Sequence, residues 1–497
     1  MLIKIFQKYI IVLSIAFTSF AMTSHTKPPL LLYNQFPRVW SMDFASMTAY
    51  LYTIKSLGFN AVWVNPFMKT SKYNMVIRQN KATGETIKSV GSLYAMFDPS
   101  LIATEIYTET STGNPSSPGE KWAEIQKYTT TAKSLGLAPI FDLVLNHISR
   151  DSPLVAGTFK HFLDFQLDTS EWFIQRTDKK WDDVVPFDYV KPGNIRQIFE
   201  YLWKPFIHKM IECYGFTGAR IDFATGPKVN PEIIKLCISY IKELNPKAII
   251  FAEDLYPGAK EDRIKYVLEK SNDLGFTHIT NISMYLPEKS IGSKEAYEPI
   301  LENLGLKKLM ETDSSEYRPG TIGFPGSHDA GPTLFMAKIA GDSTENPVLL
   351  AKKRMAIAAF TSDAGWYLLA GDEVLSDTIK SPFIRQNGTD FVYPDITEKN
   401  LQKHQEDDPL FLYISSINKT FLCLRPALKT FWFEIFYSPD KNFIYFIRHL
   451  DKNSIDIVTV NIIGENNFPS NKHIFKYLKN CKAEIDAHKN IWYFNVY

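Results

Sequence analysis

The chain is short of cysteine, of net charge and of long apolar runs, and each shortage removes a class of protein. Four cysteines stand among 497 residues, Cys213, Cys237, Cys423 and Cys481, and no two form a CxxC pair. The zinc and redox motifs that need such pairs are absent. The four allow three full disulfide pairings, or they are buried free thiols, and the sequence does not choose between these. Lysine and arginine number 55 against 54 acidic residues. So even a balance supplies no basic field for nucleic acid or an anionic membrane. Beyond the N-terminal leader no stretch is long and apolar enough for a membrane helix. Neither an internal repeat nor a low-complexity tract is present.

The leader has a character of its own. Lys4 and Lys8 precede an apolar run from Tyr9 to Phe20, and Ser19 and Ala21 fit a small-x-small cleavage site. Residues 1–21 therefore read as a signal peptide. This predicts a secreted or periplasmic protein with no membrane attachment after cleavage. If the leader is not a signal, the protein is cytoplasmic; the other readings of the run are an uncleaved anchor or an apolar cytosolic leader.

What is abundant is aromatic: 25 Tyr, 35 Phe and 9 Trp, or 14% of the chain. Aromatic faces stack on sugar rings, and they also fill large cores. A chain of 497 residues exceeds one ordinary core. A barrel of about 250 residues or more with a smaller second domain is the natural partition.

From about residue 30 to 380, strand-like runs alternate with helical segments, the pattern of βαβ units. Strands are expected at Leu30 to Tyr33, Asn60 to Pro66, Ala138 to Leu145, Thr217 to Phe223 and Ala248 to Ala252. Fainter ones follow at Gly275 to Thr280, Thr321 to Pro325 and Gly365 to Leu369. Helices are expected over 43–57, 118–135, 195–213, 231–243 and 347–360. The fold class is α/β: a (β/α)8 TIM barrel over 28–384. A doubly wound sheet also alternates, but it rarely ends so many strands in polar groups. Two long loops, 67–117 and 146–192, follow the second and third strands and are expected to shape a cleft. Residues 385–497 carry short β-type runs such as Phe431 to Tyr437 and Ile491 to Tyr497. They read as a C-terminal antiparallel β-domain.

The polar residues at the strand ends carry the chemistry. Arg220 and Asp222 are two apart, so a strand turns both into the barrel mouth. A guanidinium beside a carboxylate holds it ionised and oriented, as a nucleophile requires, and also as a plain structural ion pair would. Glu253 follows Ile249-Ile-Phe-Ala. Among apolar neighbours its carboxyl would be raised toward a general acid's range. His328 and Asp329 follow a Gly-Phe-Pro-Gly turn, where an aspartate also serves as a helix cap. Asn146 and His147 close the third strand, and Asp142 shares a face with Asn146. No one of these signals is specific. Together, each at a strand end, they bring Asp222, Glu253 and Asp329 into one pocket, the arrangement glycosidic-bond chemistry needs.

Asp142-Leu-Val-Leu-Asn146-His147, Ala219-Arg220-Ile-Asp222, Glu253 within Phe-Ala-Glu, and Ser327-His328-Asp329 resemble, in order, the four conserved regions of the α-amylase superfamily, glycoside hydrolase family 13. The resemblance covers roughly 30–380. It implies that Asp222 is the nucleophile, Glu253 the acid/base and Asp329 the transition-state stabiliser. It places Tyr94, Asn146, His147, Arg220 and His328 around the attacked sugar. Asp98 resembles the family's structural aspartate. Tyr33 to Pro37, Gly91 to Ala95 and Ile322 to Asp329 are similar to the branch of maltosyl-transferring enzymes. The chain departs from the family at Ser327, where asparagine is usual, and at Thr225-Gly226, where Lys-His is common. The acceptor side is left open by these departures. The implied substrate is α-glucan or maltooligosaccharide. A retaining α-glycosidase, a transglycosylase or maltosyltransferase with the same triad, and a non-catalytic carbohydrate-binding barrel are the functions to be separated. No cofactor is required; calcium, which Asn146 could ligate, lacks an evident oxygen shell.

Overall fold

The computed structural model describes residues 29–37, 43–70, 76–79, 86–89, 93–103, 118–158, 168–174, 184–224, 230–253, 273–280, 319–328, 332–334, 347–360, 362, 364–374, 409–424, 433–437, 443–449, 455–461 and 491–496. The leader over 1–21, Asp329, and Thr225 with Gly226 lie outside them.

Eight strands close into a barrel: β1 (Leu30–Gln35), β2 (Ala61–Val64), β3 (Ala138–Leu143), β4 (Gly218–Ile221), β5 (Ile249–Ala252), β6 (His278–Thr280), β7 (Gly320–Gly323) and β8 (Gly365–Leu369). Each pairs in parallel with the next, and β8 returns to β1. This is the (β/α)8 barrel expected from the sequence. Strand β6, the faintest in the sequence, spans only three residues.

Strand periodicity builds two cores. Leu30 and Leu32 of β1, Trp63 of β2, Ile140 of β3, Phe251 of β5 and Tyr367 of β8 pack together inside the barrel. Their neighbours Leu31, Tyr33, Val62, Phe141, Ile250 and Trp366 face the helices. Burial on both faces explains why these strands read as unbroken apolar runs. At the closing seam β8 approaches β1 very closely. A Cβ on Gly365 would lie 1.9 Å from the Leu30 carbonyl oxygen, so only glycine fits there.

The outer layer holds helices α1 (Phe44–Ser56), α2 (Pro118–Ser134), α3 over 194–213, α4 (Pro231–Leu244), α5 (Pro347–Phe360) and α6 (Pro409–Leu424). Asn230 starts α4 by accepting from the Glu232 amide at 2.8 Å, and Pro231 loses no bond in the first turn. Ile233, Ile234, Cys237, Ile238 and Ile241 are its buried stripe. Helix α3 contains two π-helical turns, Phe199–Trp203 and Lys209–Cys213.

Some expectations are revised. Strands β3 and β4 stop at Leu143 and Ile221, two residues before the ends read from the sequence. The polar groups beyond them therefore sit on turns at the barrel's rim. Within the loop insertions, Met68–Thr70 pairs with Met96–Ile102, Val76–Gln79 with Thr86–Ser89, and His147–Ser149 with Val184–Pro186, all antiparallel. Helix α6 lies inside the span read as β-type. Its Leu410, Phe411, Ile414, Ile417 and Phe421 join the barrel's outer core. The C-terminal sheet follows: β9 (Phe433–Tyr437), β10 (Phe443–His449), β11 (Ile455–Asn461) and β12 (Ile491–Val496), an antiparallel meander. Cys213 and Cys237 are free thiols. Among the described residues no helix is long and apolar enough to cross a membrane.

Asn418 of α6 ties this outer layer to the seam. Its Oδ1 accepts from the Trp366 indole at 2.7 Å, and its Nδ2 donates to the Leu57 carbonyl at 2.9 Å. Asn418 is fully buried, so truncation leaves both partners buried without it, at about 1–3 kcal/mol per group. Urea denaturation of Asn418→Ala should show that loss with the slope unchanged. A midpoint equal to the wild type would mean that α6 is not held this way.

Candidate active site

The site is organised by Arg220. Its side chain rises from β4 into the barrel and is 1% exposed. Register places it beside Asp142 of β3 and Phe251 of β5. Its Nη1 donates to Asp142 Oδ1 at 3.0 Å and to Asp222 Oδ1 at 2.7 Å. Its Nη2 meets Glu253 Oε2 at 2.6 Å. One guanidinium thus serves three carboxylates from three adjacent strands. Asp222 and Glu253 keep 12% and 19% of their side-chain surface, whereas Asp142 keeps none. Two of the three acids therefore face the mouth, and the third is sealed beneath them.

Backbone bonds continue past the strand ends and fix those two acids. The Asp222 amide donates to the Leu143 carbonyl, and the Glu253 amide to the Ile221 carbonyl, each at 3.0 Å. Asn146 Nδ2 donates to Asp222 Oδ2 at 3.1 Å. Phe223 has φ 45°, a left-handed conformation that costs a bulky residue energy. That twist aims its N–H at Glu253 Oε2, 3.0 Å away. The apolar setting expected for Glu253 is thereby corrected: its Oε2 rests on a guanidinium and a backbone amide.

Aromatic rings wall the pocket. Tyr94 stacks on His328 with centroids 5.3 Å apart and 12° between planes. Trp63 meets His328 edge-on at 5.3 Å, and Arg220 lies 5.0 Å over the Trp63 ring. The Tyr94 hydroxyl donates to Asp142 Oδ2 at 2.7 Å and lies 2.9 Å from His328 Nε2. Trp63 Nε1 also donates to Asp142 Oδ2, at 3.2 Å.

The electrostatics follow from burial and from three acids sharing one base. Burial raises Asp142 most; Arg220 opposes, Asp222 adds, and the outcome is about 7. Burial also acts to lower Arg220, but Asp142, Glu253, Tyr94 and Asp222 outweigh it and hold it well above its ordinary value. His328 is pushed down to about 3 by burial and then by Arg220, so its imidazole is neutral near pH 7.

The structure thus gathers Tyr94, Asn146, Arg220, Asp222, Glu253 and His328 in one network. His147 is half-buried at the start of the short pairing with Val184–Pro186. Asp329 follows His328 but lies outside the described residues. Asp142, noted in the sequence for its face and as the start of the Asp142-to-His147 segment but given no role, proves central. Trp63 and Asn65 did not stand out there, although alternation along Ala61 to Asn65 places both on the barrel side. No signal in the sequence marks the left-handed Phe223.

Among the described residues no three His, Cys, Asp or Glu side chains gather as a metal site. Asn146 Oδ1 is buried without a hydrogen-bond partner among them.

Asp142 gives a measurable sign. Its folded value lies above the free carboxylate's 3.8, so the folded state binds the extra proton. The stability this confers is complete below pH 3.8 and is lost as pH rises through about 7. Asp372, also raised to about 7 by burial, should drift equally in both proteins compared here. From about pH 5 to about pH 8 the wild type should lose unfolding free energy relative to Asp142→Asn. Parallel urea-denaturation curves across that window would show that Asp142 does not titrate there.

No protein-family model matches the chain. The chain is 24% identical over 292 residues to Alpha-amylase 2 of Dictyoglomus thermophilum. That match takes in 57% of this chain and spans 42% of the relative's length. Among solved structures, the α-amylase of Geobacillus thermoleovorans complexed with acarbose aligns with a TM-score of 0.59 at 16% identity, over 88% of each chain. The cyclic α-maltosyl-(1→6)-maltose hydrolase of Arthrobacter globiformis aligns with a TM-score of 0.60 at 15% identity, over 94% of this chain and 98% of that one. At such identities the likeness to these structures is one of fold.

Proposed function

We propose that the protein is a retaining α-glycosidase of the α-amylase type that cleaves α-1,4-linked glucan or maltooligosaccharides. One observation carries this reading. Asp222 and Glu253 leave adjacent strands, share the Arg220 guanidinium and keep open surface toward the barrel mouth. Anchorage on one small cation supports the close spacing of a nucleophile and its acid/base partner, against the wider gap an inverting enzyme needs for water. The order of motifs and the curated relative support α-glucan as the substrate.

Asp222 attacks the anomeric carbon. Arg220 and Asn146 orient it by donating to its two oxygens. Glu253 protonates the leaving oxygen and later deprotonates the incoming water. Because its Oε2 already accepts from Phe223 and faces Arg220, the transferred proton resides on Oε1. Tyr94 and His328 bound the attacked sugar, with His147 and Asp329 completing the hydroxyl contacts. These steps use side chains alone. The leader over 1–21 supports an exported enzyme and hence water as the acceptor, since phosphorylated sugar donors are cytosolic. Transfer to a sugar would pass through the same glycosyl-enzyme.

Incubation of the full chain with maltoheptaose, with and without maltose 1-phosphate, separates the outcomes. Shorter sugars alone, released first as the α-anomer by proton NMR, are expected. Longer sugars would reassign the enzyme to transfer. Tight binding without turnover would sink the reading in favour of a binding barrel. Asp222→Asn should lose several orders of magnitude in rate, and Glu253→Gln about 10²–10⁴-fold. Both should still fold with a single cooperative denaturation transition; its midpoint should shift, because each change removes a carboxylate charge facing Arg220.

A further inference from the structure

Beneath the Tyr94 hydroxyl runs a short chain of two buried amides that the chemistry above does not use. Asn34 is the last but one residue of β1 and Asn65 follows β2, and both are fully buried. Asn34 Nδ2 donates to the Trp63 carbonyl at 3.2 Å and to Asn65 Oδ1 at 2.6 Å. Asn65 Nδ2 then donates to the Tyr94 hydroxyl at 2.9 Å. The direction of this chain is settled by its first link. A backbone carbonyl only accepts, so Asn34 must present its NH2 there and to Asn65. Asn65 must then turn its oxygen back and its NH2 forward. The Tyr94 oxygen, already accepting from Asn65, is left with its proton for Asp142 Oδ2.

We propose that Asn34 and Asn65 are positioning residues that fix the place and hydrogen-bond direction of Tyr94, and through it the wall formed with His328. The proposal rests on the reading of this pocket as the sugar-cleaving site. A second feature points away from simple core stabilisation. Asn34 Oδ1 is buried with no hydrogen-bond partner among the described residues. An amide kept at that cost serves its donors, since an apolar residue would fill the space without the penalty. Among the described residues the charged and titratable groups facing the Tyr94 hydroxyl include Asp142 on β3, Arg220 on β4 and His328 after β7. Asp222 and Glu253 lie across the guanidinium.

The directional role has a test that packing alone would not pass. Asn65→Asp keeps the shape and the acceptor for Asn34. Protonated, its carboxyl donates to Tyr94 as the amide does; ionised, it accepts the Tyr94 proton and draws it from Asp142. Hydrolysis of maltoheptaose by the full-length variant should therefore be at least tenfold below wild type in kcat at high pH. It should recover toward wild type as pH falls, with KM changing less than kcat. A pH profile parallel to wild type would overturn the proposal. Asn34→Ala, which frees the Asn65 amide to turn, should lower kcat/KM several-fold, and a wild-type value would equally count against it. A readout independent of turnover separates this from the glycosidase reading. In full-length protein labelled at tyrosine Cζ, with Tyr94 assigned through Tyr94→Phe, the Tyr94 resonance should move in both variants. An unmoved resonance refutes the amide chain, whatever the protein cleaves.

Discussion

A single buried guanidinium facing three carboxylates is the interaction on which the mouth of this barrel depends. The charges do not balance: one positive group meets as many as three negative ones. Water would screen that excess, but Arg220 is almost wholly shielded. Burial settles which acid yields. Asp142 has no exposed side-chain surface and is raised to about 7, while Asp222 and Glu253 keep access to solvent. The fold thus sets one acid aside as a buried support and leaves two open for chemistry. Removing the arginine would leave those acids facing one another uncompensated, the costly way to break a buried pair.

The barrel supplies this arrangement through register. Arg220, Asp142 and Phe251 sit level on β4, β3 and β5, so the guanidinium is flanked by a carboxylate on one side and a ring on the other. Apolar layers from Leu30, Trp63 and Tyr367 fill the barrel below and keep water from the underside. Above, the strands end and turns take over. Phe223 carries the strain of that change, since its left-handed backbone delivers the amide that anchors Glu253. Strain at this point is consistent with a backbone shaped by its site more than by local preference.

Much of this was legible in the sequence, for physical reasons. Eight strands announced themselves because burial on both faces leaves apolar runs bounded by turn residues. Arg220 and Asp222 fell on one face because strands repeat every two residues. The same rule, followed along β2, marks Trp63 and Asn65, but a tryptophan in an apolar strand looks like core until its indole is seen donating to Asp142. Helix α6 was hidden among β-type runs, and only its packing beside α5 and Trp366 reveals it. The surroundings of Glu253 were misread because one of its two donors, the Phe223 amide, comes from a residue whose side chain gives no hint of a left-handed backbone, and the other reaches it from the neighbouring strand.

The fold leaves the identity of the acceptor open, and the donor side carries the central claim: that Asp222, held by Arg220 and Asn146, forms the covalent bond to sugar. Brief reaction of the full chain with a 5-fluoro α-maltosyl fluoride, followed by denaturation, digestion and mass spectrometry, tests this directly. A fluoromaltosyl adduct on the peptide containing Asp222, absent from Asp222→Asn, is the predicted result. An adduct on any other residue, or none while the reagent is consumed, would contradict it.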